Sequence, residues 1–484
     1  MLGVLGVGFR VWLTAVDAPL TNSDEATMGL AALHIWRGED FPVYFYGQHY
    51  MGTIEAYLAA PLVGLLGTTT LALRLPTLAL YSLFLILLYA LSKRVYGPWI
   101  AVASVGFLAL GADRIAKNQL IAGGGYPETA PMLTAVLVGV LAMKYRPRAW
   151  IAAGTGLLAG LIVWNHLLPL PYLVAAAVML VGTPWRKVWP VLPGALVGVL
   201  PAIWHDLHTT FGHSLLGTFW HLQTTGPDPS AVDRIYGGAI LGLPLGMGMC
   251  APSHCEPWQF WWGPVYAALL VIAGVLAWRL PRSPERSMRL VLVVGALLTV
   301  VSYARNSAAG DSPIESARYL SCLLVSTPAW IEPIWRFAGA AARPAWQRLL
   351  AALPLVGAAA MAIFATVALA AHAHVYTSAT VDQRTVLAAL ERDHVTSMYA
   401  DYWTCNWIAY QTAENRICAV IGDDMNKGLN RYAPYWDRVE GSTSVAYLAP
   451  VDSRLDATLS ATLPQSPIRA ANYHVYLPTP SGQR

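Results

Sequence analysis

Long apolar runs separated by short polar joints dominate this chain. Blocks at 75–91, 151–164, 188–204 and 349–371 each approach the ~20 residues a helix needs to cross a bilayer. Placing every such block along the chain predicts about eleven spans, at 1–20, 73–92, 98–112, 129–143, 149–164, 167–182, 188–204, 258–278, 290–304, 319–335 and 349–371. The fold class expected is mainly α, a polytopic transmembrane helical bundle. Another apolar stretch, 54–66, reads as an interfacial or re-entrant helix, because counting it as a span would reverse every later loop against the charge pattern. Ahead of it, residues 25–37 place Met28, Leu30, Ala31, Leu33, Ile35 and Trp36 so that a helix would lie with much of its surface in the membrane interface. Asn22, Ser23 and Asp24 suit its start and Gly38 its stop.

The pattern changes after the last apolar block. Residues 382–393 predict helix, 395–400 strand, 401–414 helix, 416–421 strand, 443–449 strand, 452–463 helix and 472–477 strand, an alternation that suits a small α/β sheet. The expected division is a transmembrane module over 1–372, with outer loops at 21–72, 113–128 and 205–257, followed by an extracytoplasmic α/β domain over 373–484. Gly422-Asp423-Asp424 follows a strand, and with Asn426, Gly428 and Asn430 nearby it reads as a turn rather than a metal site.

Composition agrees with a bilayer setting, for 56% of the 484 residues are hydrophobic and only 12% are charged, against roughly 25% in soluble domains. The net charge of +4 is too small to argue for nucleic-acid binding. Its distribution is more informative. With the N-terminus cytoplasmic, the five inner joints hold fourteen of the thirty-one basic residues, and Glu285 is their only acid, which selects that orientation. These joints are too short to house a soluble active site, so chemistry is expected at the outer face. The first block is not read as a signal peptide, since Arg10 interrupts it, no small-residue cleavage site is obvious, and Asp24 and Glu25 follow. Arg10 faces either a structural partner or a functional one. Cys250 with Cys255, and Cys405 with Cys418, lie in outer segments and are near enough for two local disulfides.

Asp24-Glu25 is the sharpest chemical feature. Carboxylates at a helix start are favoured in ionised form by the dipole and free N–H groups. One of them can orient and deprotonate a hydroxyl or amine; alternatively both only cap the helix. Tyr44, Tyr46, Gln48, His49, Tyr50 and Glu55 offer aromatic faces and polar tips, and Gly123-Gly124-Gly125-Tyr126-Pro127-Glu128 forms a flexible outer turn that ends on a carboxylate. His213, His221, His254, Cys255, His372 and His374 show no diagnostic metal spacing, and a divalent ion stays open.

The run Asp24-Glu25-Ala26, Gly38-Glu39-Asp40-Phe41-Pro42-Val43-Tyr44-Phe45-Tyr46-Gly47, Tyr50-Met51-Gly52, Glu55, Ala60-Pro61, Leu66-Gly67 and Leu73-Arg74-Leu75-Pro76 resembles the opening of the GT-C membrane glycosyltransferases. Within them it resembles the branch of protein O-mannosyltransferases and aminoarabinose transferases. Similarity is densest over 20–95, weaker at 113–131 and 317–320, and fades in the tail. The resemblance implies an inverting transferase that takes a sugar from a polyprenyl-phosphate donor, with Asp24 as base and Glu25 orienting the acceptor or the base. It also implies that Arg74, Lys117 and Arg318, at one predicted depth, clamp the donor phosphate, with Tyr319 and Tyr126 adding hydrogen bonds. Tyr46, Gln48, Tyr50, Glu55, Tyr126 and Glu128 are then the expected sugar or acceptor contacts. The acceptor is a lipid, a glycan or a protein; membrane lipids surround the spans; some family members need a divalent metal and others do not. Rival readings are a lipid or glycan transporter or flippase, which needs charged or broken helices at mid-membrane, and a non-catalytic envelope-assembly subunit.

Overall fold

The computed structural model of the protein describes residues 1–225, 227–250 and 255–477. Helices occupy all eleven apolar blocks: Leu2–Ala15, Thr70–Tyr96, Pro98–Ala109, Tyr126–Tyr145, Ala149–Asn165, Leu170–Leu180, Val191–Leu207, Trp262–Trp278, Pro284–Arg305, Thr327–Ala338 with a preceding 3-10 turn Ala317–Ser326, and Ala345–Arg392. By length and apolarity alone, six helices among the described residues cross a membrane, or seven if Pro98–Ala109 and Asp113–Leu120, bent by 93°, form one span. The remaining blocks are shorter apolar helices packed into the same bundle. The protein is an integral, multi-pass membrane protein.

Arg10 explains the bend. Its guanidinium is fully buried and donates to the carbonyls of Ala109 (2.6 Å) and Leu110 (2.9 Å) and to Gln119 Oε1 (2.9 and 3.1 Å). These are carbonyls that a helix end leaves unpaired, so Arg10 caps the break. Gly6 permits the approach, since a Cβ there would stand 2.7 Å from Ala109 Cα. The partner of Arg10 is structural.

The Ser23–Arg37 helix begins and ends where its caps dictate. Asn22 accepts from the Glu25 N–H, and Gly38 takes the left-handed conformation at φ 69°. Its setting differs from the interfacial one expected. Met28, Leu30, Ala31 and Ala32 are buried against the Ile54–Leu66 helix and the Tyr402–Gln411 helix of the tail. Gly29 lies under the Tyr410 ring, where a Cβ would come within 2.6 Å. The apolar face that lipid was expected to cover is covered by the C-terminal domain instead.

That domain is a five-stranded sheet of β1 (Ser397–Ala400), β2 (Ile417–Val420), β3 (Ala446–Pro450), β4 (Ile468–Ala470) and β5 (Tyr473–Tyr476), in the order β2-β1-β3-β5-β4. The β2-β1-β3 pairs are parallel and the β3-β5-β4 pairs antiparallel. β4 and the short Pro434–Glu440 helix were not expected; both lack a periodic run long enough to show. The helix expected at 382–393 is the end of a 48-residue helix, Ala345–Arg392, that runs unbroken past residue 372. Both disulfides form, Cys250–Cys255 and Cys405–Cys418, while Cys322 is free and buried. Residues 422–426 make a turn, with Asp424 accepting the Asn426 N–H.

Candidate functional site

Successive residues on a helix point about 100° apart, and the acidic pair separates accordingly. Glu25 turns inward and is fully buried with Arg74. Arg74 donates from Nε to Glu25 Oε1 and from Nη2 to Glu25 Oε2, both at 3.0 Å, and further to the carbonyls of Ala18 (3.3 Å) and Pro19 (2.6 Å). The phosphate contact expected of Arg74 would have to displace these bonds, because every arm of its guanidinium is engaged inside the fold. Glu25 is correspondingly a strut that ties the helix start to the next span.

Asp24 turns outward and its side chain is 22% exposed. One oxygen, Oδ1, accepts from the Tyr402 hydroxyl and lies 3.7 Å from Arg431 Nη2. Asp24 Oδ2 receives no hydrogen bond among the described residues. The glycine turn passes alongside, since a Cβ on Gly123 would stand 3.9 Å from Asp24 Cβ.

Gly124 and Gly125 adopt φ of 101° and 91°, open to glycine at little cost. Their N–H groups donate to Glu55 Oε2 (3.1 Å) and Oε1 (3.2 Å). Glu55 and Glu128, expected at a sugar, are both buried and their carboxyl groups face each other. Burial pushes the Glu55 carboxyl up to about 7, against the pull of the two glycine N–H groups. Glu55 holds the turn from beneath through the two glycine N–H groups.

Arg318 completes the other wall. Its guanidinium sits over the rings of Tyr126 (5.6 Å) and Tyr319 (5.7 Å). Its Nε is buried without a hydrogen-bond partner, and it lies within electrostatic reach of Asp24 and Tyr50. His166 packs 5.5 Å from Tyr126 and 6.4 Å from Tyr50. Burial first, and the Arg318 charge second, hold the His166 ring neutral with its pKa down at about 3. Arg114, unforeseen in the sequence, adds a second guanidinium beside Arg318 and donates to the Ile314 carbonyl at 2.9 Å.

Other expected contacts lie elsewhere. Lys117 pairs with Asp113 at 2.9 Å, one helical turn away, which in turn accepts from Tyr376 (2.8 Å); no contact joins Lys117 to Asp24 among the described residues. Tyr46 donates to Asp40 (2.9 Å) and meets His34 Nδ1 (2.8 Å). His34 Nε2 continues to Glu414 Oε1 at 3.2 Å, so Tyr46 belongs to a seam between the first loop and the tail. Burial would raise the Glu414 carboxyl, yet bonds from His34 and Tyr435 and the Arg37 charge hold it at about 2. His34, Glu39 and Glu414 are the group among the described residues whose ligand atoms gather as a metal would require. Arg37 (2.6 Å) and Arg438 (3.8 Å) already balance Glu414, which does not suit a cation. His213 stacks on His49 at 4.4 Å with His205 nearby, His221, His372 and His374 are exposed and apart, and His254 lies outside the described residues. The Gln48 amide lies against Arg431, and the orientation that satisfies both groups has its oxygen accept from Nη1 (2.7 Å) and Nη2 (3.3 Å).

Thus Asp24, Tyr50, Tyr126, Arg318 and Tyr319 come together, with Gln48 at the margin. Sequence reasoning missed Tyr402, Arg431, Arg114 and His166, for none carries a local pattern and only the tertiary fold brings them in. A membrane bundle with an acidic first loop at one end, roofed there by a small α/β domain, has the GT-C fold. Among solved structures it is similar to ArnT from Cupriavidus metallidurans bound to undecaprenyl phosphate, with a TM-score of 0.65 and 14% identity over 99% of this chain and 98% of that one. It is also similar to the archaeal oligosaccharyltransferase AglB from Archaeoglobus fulgidus in complex with an inhibitory peptide and a dolichol-phosphate, with a TM-score of 0.52 and 11% identity over 93% of this chain and 69% of that one. At such identities the likeness is one of fold. No protein-family model and no curated protein sequence matches the chain.

Proposed function

We propose that the protein is an inverting glycosyltransferase that moves a sugar from a polyprenyl-phosphate donor to an acceptor hydroxyl or amine at the outer face of the membrane. The observation that carries this reading is a partly exposed carboxylate, Asp24, within electrostatic reach of the half-buried Arg318, whose Nε is buried without a hydrogen-bond partner. Arg318 holds the donor phosphate and Asp24 Oδ2 takes the acceptor proton. The acceptor oxygen or nitrogen bonds to the anomeric carbon as the carbon–oxygen bond to phosphate breaks. The electron pair leaves on the polyprenyl phosphate, where Arg318 stabilises the charge that develops. A single displacement inverts the configuration. Tyr126 and Tyr319 orient Arg318, and Tyr50 borders the sugar. The basic joints support a cytoplasmic N-terminus and an outer sheet. Carrier phosphates bound to the fold neighbours, undecaprenyl phosphate in ArnT and a dolichol-phosphate in AglB, support the donor class.

The test supplies purified protein with a panel of polyprenyl-phosphate sugars and follows release of the lipid phosphate. Transfer or hydrolysis is expected with at least one donor and is abolished by Asp24→Asn. Arg318→Ala weakens donor binding while expression is retained. Full activity in Asp24→Asn refutes the reading.

A further inference from the structure

The carboxylate assigned as base is held from the opposite end of the chain. Tyr402 opens the helix that follows β1, and Arg431 sits in the segment leading to the Pro434–Glu440 helix. Arg431 Nε donates to the Tyr402 hydroxyl at 2.9 Å, and that hydroxyl donates to Asp24 Oδ1. Arg431 itself stands 3.7 Å from the same oxygen. Its guanidinium also packs on the rings of Phe45 (5.0 Å) and Tyr402 (5.5 Å) and binds Gln48. Gly47 allows the approach, for a Cβ there would lie 3.2 Å from the Arg431 carbonyl oxygen. Tyr402 and Arg431 therefore hold one oxygen of Asp24, with Phe45 and Gln48 supporting Arg431, and leave the other unbound.

We infer that Tyr402 and Arg431 are positioning residues through which the C-terminal domain aims Asp24 Oδ2 at the acceptor. This rests on the function proposed above and goes further, since it makes the α/β domain a working part of the site rather than a cover. Holding Oδ1 removes the rotation that would let the carboxylate turn its free oxygen away. It also keeps Arg431 on the base, so that the donor phosphate falls to Arg318. Alignment of the base acts on the transition state, and so on turnover rather than on donor affinity.

The experiment compares full-length Arg431→Gln, Arg431→Lys, Tyr402→Phe and the Arg431→Gln/Tyr402→Phe pair in nanodiscs, measuring donor binding and turnover separately. Donor affinity is expected to stay within about twofold of wild type, whereas kcat falls roughly ten- to a hundredfold in Arg431→Gln. Tyr402→Phe falls less, and the double variant is no slower than Arg431→Gln, because the two side chains act as one unit. Arg431→Lys recovers part of the rate; one ammonium cannot match the fork that spans Tyr402, Gln48 and Asp24. Unchanged kcat in Arg431→Gln overturns the inference, as does donor affinity that falls as far as kcat, which would put Arg431 on the phosphate. Should Arg431→Gln not fold, wild-type kcat in both folded variants, Arg431→Lys and Tyr402→Phe, overturns it equally. If Asp24→Asn abolishes transfer while these variants keep it, only this inference fails; if Asp24→Asn transfers normally, the glycosyltransferase reading fails with it.

Discussion

Replacing Arg74 by Met separates two roles that the sequence alone left merged. A phosphate clamp would lose donor affinity and little stability. A buried strut would lose stability first. In the structure both Arg74 and Glu25 side chains are fully buried, and the guanidinium makes four hydrogen bonds, two to Glu25 and two to the Ala18 and Pro19 carbonyls. Met fills much of the volume but leaves an uncompensated carboxylate and two bare carbonyls. Removing one partner of a buried ion pair costs about 3–5 kcal/mol, which corresponds to a fall in apparent Tm on the order of 5 °C or more. The assay is thermal unfolding of the purified protein in nanodiscs, alongside the Glu25→Gln single variant and the Glu25→Gln/Arg74→Met double. Most of the loss should return in the double, because the orphaned charge is gone. A wild-type Tm in Arg74→Met together with weakened donor binding would refute the strut and restore the phosphate role.

Two further outcomes follow from the site's supports. Glu55, with its pKa raised from an ordinary 4.5 to about 7, stabilises the fold fully below about 4.5, and that contribution is lost as pH climbs through about 7; unfolding midpoints measured from pH 4 to 8 should show this slope, and Glu55→Gln should flatten it. The Cys405–Cys418 link closes a loop between residues 13 apart, worth about 3 kcal/mol in the chain-entropy account, so the Cys405→Ser/Cys418→Ser protein should be nicked in its tail by protease at concentrations that spare the parent, and equal resistance would discount the link.

Much of the architecture is legible because lipid enforces it. A bilayer demands apolar length, and each of the eleven blocks holds a helix, six or seven of the spans among the described residues being long enough to cross; the caps Asn22 and Gly38 mark their helix to the residue. What the pattern could not supply is partnership. Hydropathy placed Arg74, Lys117 and Arg318 at one depth, yet depth says nothing of who meets whom: Arg74 pairs with Glu25 and Lys117 with Asp113, while Arg318 lies against two tyrosines with its Nε unpartnered. The acidic pair was visible, but which carboxylate turns inward depends on what packs against the helix. Tyr402 lies 378 positions from Asp24 along the chain, a distance over which no local periodicity carries information. Residues 25–37 looked like a lipid-facing helix for the same reason, since an apolar face does not announce whether lipid or protein covers it.

The unbroken helix from Ala345 to Arg392 has a mechanical meaning. At 1.5 Å per residue it is about 72 Å long, more than twice the ~30 Å hydrocarbon thickness, so one continuous helix runs from the apolar bundle to the sheet. Pivoted at its far end, a lean of only 10° would sweep the sheet sideways by roughly 12 Å. Because the domain built on that sheet carries the groups that grip Asp24, a tilt of this helix would be felt at that carboxylate.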